Sequence, residues 1–407
     1  MPTTRTRVWR PDPDEHGPRS SRMSFAYEAY VPDPIGSMPT DLSHDATVAV
    51  LEAERAVSQF QVSATFTGLE ALSRQLLRAE SIASSRIEGL RLSQRRLAQA
   101  SLAPTEADAV AREVVGNIEA MEAAVDIGGR GGPITTPDLL AIHHVLLRNG
   151  RHPDVAGELR HEQNWVGGSD RSPRGAEFVP PPEDLVEPLL DDLTAYLDRA
   201  DVSAVVQAAV AHAQFETIHP FADGNGRVGR ALIHAVFRRR ALATRFAPPI
   251  SLVLAANGAR YVEGLRAYRA GGVSEWCGFF ARVTVDAVAR SESLATDLAD
   301  LRAMWLAQAG RPRSDSAATR LIALLPGQPI VDARSVATAL DVSHVAARNA
   351  LNALAAGGVL RPIVLGRQRS RAWEAPALIA LLDDFEWSMA QPTRPNEPPR
   401  PSPRQRR

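Results

Sequence analysis

At 407 residues, 44% of them hydrophobic and 23% charged, the chain has an ordinary soluble composition and length enough for two or three domains. Its net charge is -1, so no global excess points to a nucleic acid or a membrane surface. No lysine occurs, which excludes a Walker A loop and a Schiff-base lysine; the single cysteine, Cys277, excludes an intramolecular disulfide and a cysteine-rich zinc site.

The N-terminus lacks the apolar run of a secretory signal, and no apolar stretch reaches the roughly 20 residues needed to span a bilayer. A cytoplasmic protein is expected. Residues 1–40 are rich in Pro, Arg, Asp and Ser and are expected to lack regular structure. Residues 41–130 read as helical, with runs such as Val48 to Gln59 and Leu69 to Ala79. The second run leads into Ser84-Ser-Arg-Ile-Glu88-Gly89, where Ser84 and Glu88 are four apart and share a helix face. Taken alone, that spacing marks a solvated helix or a cap.

Gly128 to Pro133 breaks the helical pattern, and Pro137 marks the next helix start. His143 and His144 lie in the apolar stretch Leu139 to Leu147 without ligand spacing, so both read as structural. Further on, Asn164-Trp165-Val166-Gly167-Gly168, a turn-rich tip over 169–175, and Phe178-Val-Pro-Pro-Pro182 read as a β-hairpin. Pro182 to Tyr196 and Val202 to Thr217 are helical, with His212 packed inside.

The second helix runs into His219-Pro-Phe221-Ala-Asp223-Gly224-Asn225-Gly226-Arg227-Val-Gly-Arg230, which collects groups suited to a polyphosphate and its metal ion. The apolar spacing that follows is helical, so the glycines stand where a loop enters a helix, whose N–H groups bind anions. Backbone N–H groups around Gly224 and Gly226 suit one phosphate. Arg227 and Arg230, three apart, are expected on one helix face as a clamp on further phosphates. His219 carries the side chain whose unperturbed pKa lies near neutrality, which suits a general base. Asp223 offers a hard oxygen to Mg²⁺, and the Asn225 amide can donate to a phosphate oxygen. Phe221 and Ile218 read as core anchors.

Asn257 to Arg269 and Glu275 to Arg290 add two helices; Tyr261 suits either base stacking or the core, and Cys277 reads as a buried, inert thiol. From 311 to 375 the pattern is three short helices and two strands about Gly366-Arg367, as in a winged helix-turn-helix. His344, Arg348 and Asn352 lie on its candidate recognition helix. Nine Arg stand against three Asp between 311 and 371, a balance that suits either phosphates or a protein partner. The tail, 391–407, is Pro/Arg-rich and expected to be disordered.

The signature resembles that of the Fic family, His-X-Phe-X-Asp/Glu-Gly-Asn-Gly-Arg-X-X-Arg, matched at every specified position from His219 to Arg230. The resemblance implies a mainly α fold: a Fic-type helical core over 131–300 with a β-hairpin flap, followed by the winged helix-turn-helix module. It also implies a protein adenylyltransferase that moves AMP from ATP to a Ser, Thr or Tyr hydroxyl of a target protein, releasing pyrophosphate. His219 would deprotonate that hydroxyl and Asp223 would hold Mg²⁺. Gly224, Asn225 and Gly226 would bind the α-phosphate region, Arg227 and Arg230 the outer phosphates. Relatives that phosphorylate instead carry lysine in place of Gly226.

The Ser84/Glu88 stretch resembles the family's inhibitory motif, which implies that Glu88 pairs with Arg230 and takes the guanidinium needed by the γ-phosphate. The hairpin at Trp165, Val166 and Gly167 resembles its target-docking flap, which aligns a peptide by strand addition. Two other functions fit the same residues: a DNA-binding regulator with a nucleotide-sensing core, and removal of AMP from a modified protein. The winged helix suits DNA or a protein partner, and the resemblance admits a homodimer.

Overall fold

The computed structural model describes residues 2–11, 23–39, 41–63, 70–169, 171–365 and 370–389. The tail at 391–407, the turn at Gly366-Arg367, Leu69 and the flap residue Asp170 lie outside the described residues. The chain is mainly α, as expected, and no helix among the described residues is long and apolar enough to cross a membrane.

The N-terminal segment departs from expectation. β1 (Thr3–Trp9) and β2 (Phe25–Val31) form an antiparallel hairpin, in register from Thr3 opposite Val31 to Trp9 opposite Phe25. Alternation explains it: Arg5, Arg7 and Trp9 share one face. That face meets Asp184, Glu183 and Trp165. The Pro/Asp composition that suggested disorder belongs to the residues between the strands.

Among the described residues six α-helices lead up to the one that carries the signature loop: α1 (His44–Val62), α2 (Glu70–Ile87), α3 (Gln94–Leu102), α4 (Ala109–Gly129), α5 (Thr136–Leu147) and α6 (Val186–Leu197). They surround α7 (Ala204–Ile218) and α8 (Asn225–Arg239), the helices on either side of the signature loop. α7 is Ala/Val-rich with no polar stripe, and nearly all of it is buried, as a helix apolar on every side must be. It forms the axle of the core. α9 (Ile250–Ala256), hidden in the sequence behind Pro248-Pro249, and α10 (Gly258–Arg269) complete the wall.

α11 runs unbroken from Val273 to Gln308, well past the end expected at Arg290. The reason is a continuous apolar stripe through Trp276, Phe280, Val283, Leu294, Leu298, Leu301 and Trp305, all buried. Beyond it come α12 (Ala317–Leu324), β3 (Ile330–Val331), α13 (Ala333–Leu340), α14 (His344–Ala356), β4 (Arg361–Leu365), β5 (Ser370–Glu374) and α15 (Pro376–Met389). The strands form an antiparallel sheet in the order β3-β5-β4, the element sequence expected for a winged helix-turn-helix plus one added strand. Asp332 and Ser335 form a capping box that starts α13, and Asp341 ends it in the left-handed conformation.

Candidate active site

α7 ends at His219, whose backbone is left-handed (φ 53°, ψ 59°), an uncommon state for a residue with a side chain. The turn is held from outside. Buried Arg160 donates from Nε to the His219 carbonyl (2.9 Å) and from its backbone N–H to the Pro220 carbonyl (2.9 Å). Asn164 donates to the His219 and Phe221 carbonyls. Burial lowers the Arg160 guanidinium to about 10. These two residues of the flap base were not singled out in the sequence, because their partners are backbone carbonyls that no motif displays.

Phe221 is fully buried and stacks on the His143 ring at 3.8 Å and 4°. His143 accepts from the Gly157 N–H at Nδ1, so its Nε2–H donates to the Asp223 carbonyl at 3.0 Å. Its structural reading therefore holds, and it also fixes the loop that carries Asp223. Gly224, at φ 80°, caps α8; a Cβ there would lie 2.9 Å from Leu146 Cδ2.

The Asn225 amide bonds the loop backbone twice. Oδ1 accepts from the Phe221 N–H and Nδ2 donates to the Phe221 carbonyl, both at 2.8 Å. These two bonds brace the loop, and Asn225 lines the cleft at the start of α8. Arg227 departs from expectation. It is buried against Glu113 (3.9 Å) and bonded to Asp223 (3.1 Å) and does not line the cleft. Arg227 turns to Asp223 and Glu113 and Arg230 to Glu88, so the two guanidinium groups have different partners.

Arg230 does face the cleft. Its Nη2 lies 2.7 Å from Glu88 Oε1, while Nε donates to Ser84 Oγ (2.9 Å) and Nη2 to the Ser84 carbonyl (3.0 Å). Burial works against the guanidinium charge, and the Glu88 carboxylate foremost, with Tyr261 and Glu216, raises its pKa above the usual range nonetheless. Gly226 stands directly beneath this pair: a Cβ there would come 2.2 Å from Glu88 Oε1.

The cleft, about 270 Å³, is lined by Glu88, Val166, Glu216, His219, Asp223, Gly224, Asn225, Gly226, Arg230 and Tyr261, with Arg266 and Arg269 at its rim. Burial lowers His219 to about 4, which leaves the imidazole neutral at pH 7. Asp223, half-exposed, accepts from the Gly224 N–H at 2.6 Å and keeps one side open to the cleft. No cluster of three His, Cys, Asp or Glu suited to a metal occurs among the described residues. A lone carboxylate beside a phosphate cradle fits Mg²⁺ held jointly with a substrate's phosphates.

Tyr261 packs in the core, one of its two sequence readings. Its ring packs with His212 and Trp276, its hydroxyl meets His212 Nε2 at 2.8 Å, and it forms part of the cleft wall. Glu216 was missed. One turn ahead of His219, it reaches the cleft, and burial pushes its carboxyl up to about 7. Its Oε1 has no hydrogen-bond partner in the protein and lies 4.0 Å from His212 Nδ1. The placement of α7 beside the cleft, unknown from the sequence, was the missing signal. Cys277 is buried and raised to about 12, in line with an inert thiol.

The flap is present as two antiparallel bridges, Val166 with Phe178 and Ser169 with Ser172. Val166 lines the cleft and Gly167 turns at φ 76°. Trp165 points elsewhere: alternation sends it onto Trp9 of β1, edge-on at 5.4 Å. Arg266 of α10 pairs with Glu177 of the flap at 2.7 Å.

Residues 133–237 match the sequence model of the Fic/DOC family, and residues 48–126 match that of the Fic/DOC family N-terminal region. Over these two segments the chain is similar to the Fic/DOC family. Over 100 residues the chain is 34% identical to a probable protein adenylyltransferase of Aquifex aeolicus, covering 24% of this chain and 29% of that protein. Over 154 residues it is 31% identical to protein adenylyltransferase Fic of Nematostella vectensis, covering 37% and 32%. The chain thus spans about a third of the length of these curated relatives. Its fold is similar to that of a Fic family protein from Desulfovibrio desulfuricans, with a TM-score of 0.51 and 22% identity over 83% of this chain and 97% of that one.

Proposed function

We propose that this chain is a protein adenylyltransferase held in check by its own Glu88. The observation that carries the reading is a cleft with a neutral imidazole, His219, at one end and an arginine, Arg230, already occupied by a carboxylate at the other. The Aquifex and Nematostella relatives are named for this activity.

In the proposed reaction His219 takes the proton from a Ser, Thr or Tyr hydroxyl of the target protein. The hydroxyl oxygen bonds to the α-phosphorus of ATP while the bond from that phosphorus to the bridging oxygen breaks, and pyrophosphate leaves. The N–H groups at the start of α8 face the phosphates, and Arg230 receives the terminal one once Glu88 has left. Asp223, oriented by Arg227 and the Gly224 N–H, would hold Mg²⁺, which when bound neutralises phosphate charge. Val166 would align the target backbone along the flap edge. With Glu88 in place the γ-phosphate lacks its arginine, and the α-phosphate is not presented for attack.

A second partner is favoured at the other end of the chain. His344, Arg348 and Asn352 are all exposed on α14, as a helix that meets a nucleic-acid duplex requires. The test of the main reading uses ATP labelled on its α-phosphate, Mg²⁺, cell lysate, and wild-type, Glu88→Gly and His219→Ala proteins. Protein label rising in the first variant and vanishing in the second supports AMP transfer with a brake. No label in any sample, with ATP bound, rejects it in favour of AMP removal or a nucleotide-sensing DNA regulator.

A further inference from the structure

The brake carboxylate sits on a short turn, and the question is what holds that turn. α2 itself is fixed along its length. Buried Glu80 accepts from the Ser251 N–H (2.7 Å) and Ser251 Oγ (2.5 Å) and meets His234 Nε2 at 3.0 Å. One turn later Asn117 of α4 donates to the Ser81 carbonyl (2.7 Å) and to Ser85 Oγ (3.0 Å). Arg230 then grips Ser84. A swing of α2 as a body would break all of these at once, so Glu88 must leave by a local movement after Ser85.

The residues after Ser85 have room for it. Gly89 turns at φ 80°, and a Cβ added there would meet no atom within 4 Å. Glu88 is 39% exposed. What closes this loop is a single carboxylate from the far end of the chain. Glu386, on α15, accepts from Arg86 at one oxygen and from Gln94 at the other. Arg86 lies in the last turn of α2 and Gln94 is the first residue of α3, so one side chain ties both ends of the Glu88 loop. Glu386 is only 7% exposed, and α15 is seated on α3, α9 and α11. A second clasp lies beside it: Glu374 of β5 takes Arg95, the next residue of α3, at 2.9 Å.

We infer that Glu386 is a positioning residue for the brake: by clasping Arg86 and Gln94 it holds the 86–94 loop in the shape that presents Glu88 to Arg230. The C-terminal unit thereby sets how readily the cleft opens to nucleotide. This inference rests on the reading of Glu88 as an inhibitor of ATP binding. It does not depend on which group the cleft transfers.

The test measures ATP affinity of the full-length chain by calorimetry, with label transfer in parallel, for Glu386→Ala, Glu386→Gln, Glu88→Gly and the Glu386→Ala/Glu88→Gly double variant. Glu386→Ala is expected to tighten ATP binding about five- to tenfold. Glu386→Gln, whose amide oxygen still accepts from Arg86, should change it less. Within the Glu88→Gly background Glu386→Ala should add nothing, because the loop no longer carries a brake. A merely structural role would act equally in both backgrounds.

Wild-type affinity in a folded Glu386→Ala protein overturns the inference, as does an equal change in both backgrounds. Should Glu386→Ala fail to fold, Gln94→Ala carries the test, since it leaves the Arg86 contact in place; a two- to threefold tightening is expected, and none overturns the inference. Absence of label in every variant, Glu88→Gly included, would reject the transferase reading, while the affinities still judge the clasp.

Discussion

Arg230 and Glu88 share an ion pair at 2.7 Å in which the guanidinium is 1% exposed and the carboxylate 39%. The asymmetry decides which partner moves. Glu88 can pass into water at little expense, whereas Arg230 stays behind and needs another anion. On the proposed function, the pair is a seat for a phosphate, occupied in the meantime by the chain itself.

Removing Glu88 should then lower stability in the absence of nucleotide, by about 1 kcal/mol once screening of the part-exposed carboxylate and the two remaining Ser84 bonds are allowed for. ATP should restore more than it gives the wild type, by linkage. Thermal unfolding of Glu88→Gly with and without ATP checks this. An ATP-induced rise no larger than in the wild type would count against the shared seat.

Gly226 lies beneath the same seat, and a Cβ there would reach 2.2 Å from Glu88 Oε1 and 2.8 Å from Arg230 Nη1. Gly226→Ala should displace the brake and also fill the cradle. In the Glu88→Gly background the first effect is gone, so ATP affinity should fall, roughly tenfold for the loss of one well-placed phosphate contact. Unchanged affinity in that double variant would show that phosphate passes elsewhere.

Glu216 makes a prediction about pH. Burial raises its carboxyl from 4.5 to about 7, so the folded state prefers the protonated form. A raised acid loses stability as pH climbs from 4.5 towards 7 and carries the full penalty above that. Glu216→Gln should accordingly be more stable than wild type at pH 8, by about 2 kcal/mol, with the gap closing below pH 4.5. Denaturant titrations at pH 4.5 and pH 8 compare the two proteins; a gap that does not change with pH removes the buried-acid account.

Arg227 tests how Asp223 is held. Its Nε and Nη1 are buried without hydrogen-bond partners, but its charge is paired with Glu113 and Asp223. Arg227→Met removes one partner of a buried pair and is expected to cost about 3 kcal/mol in unfolding free energy. Its ATP affinity should fall about tenfold with Mg²⁺ present and little without it. An equal loss in both conditions would mean that Arg227 touches phosphate directly, against its position here.

The parts of this molecule legible in the sequence are the local ones. His219 through Arg230 is contiguous, so its loop-into-helix geometry follows from glycines and apolar spacing alone. Glu88 was found only because a resemblance supplied its partner 142 residues away. The β1–β2 hairpin was hidden because Thr3 meets Val31 across a Pro-rich stretch that masks both strands. The partners of Asn225 and Arg227 were not legible for one reason: residue type shows what a side chain can bind, while direction depends on neighbours such as Phe221 and Glu113. Glu216 and Glu386 carry no motif at all, and only tertiary packing brings them to the cleft and its brake.

The unbroken α11 has a consequence for the molecule as a machine. At 1.5 Å per residue its 36 residues make a shaft about 54 Å long. One end carries Trp276, in ring contact with His212 and Tyr261 at the cleft wall; the other carries Trp305, buried where the C-terminal unit begins. The cleft wall and the C-terminal unit are thus joined by one uninterrupted helix. A cut at residue 300 would part them and lay Leu298 and Leu301 bare to water.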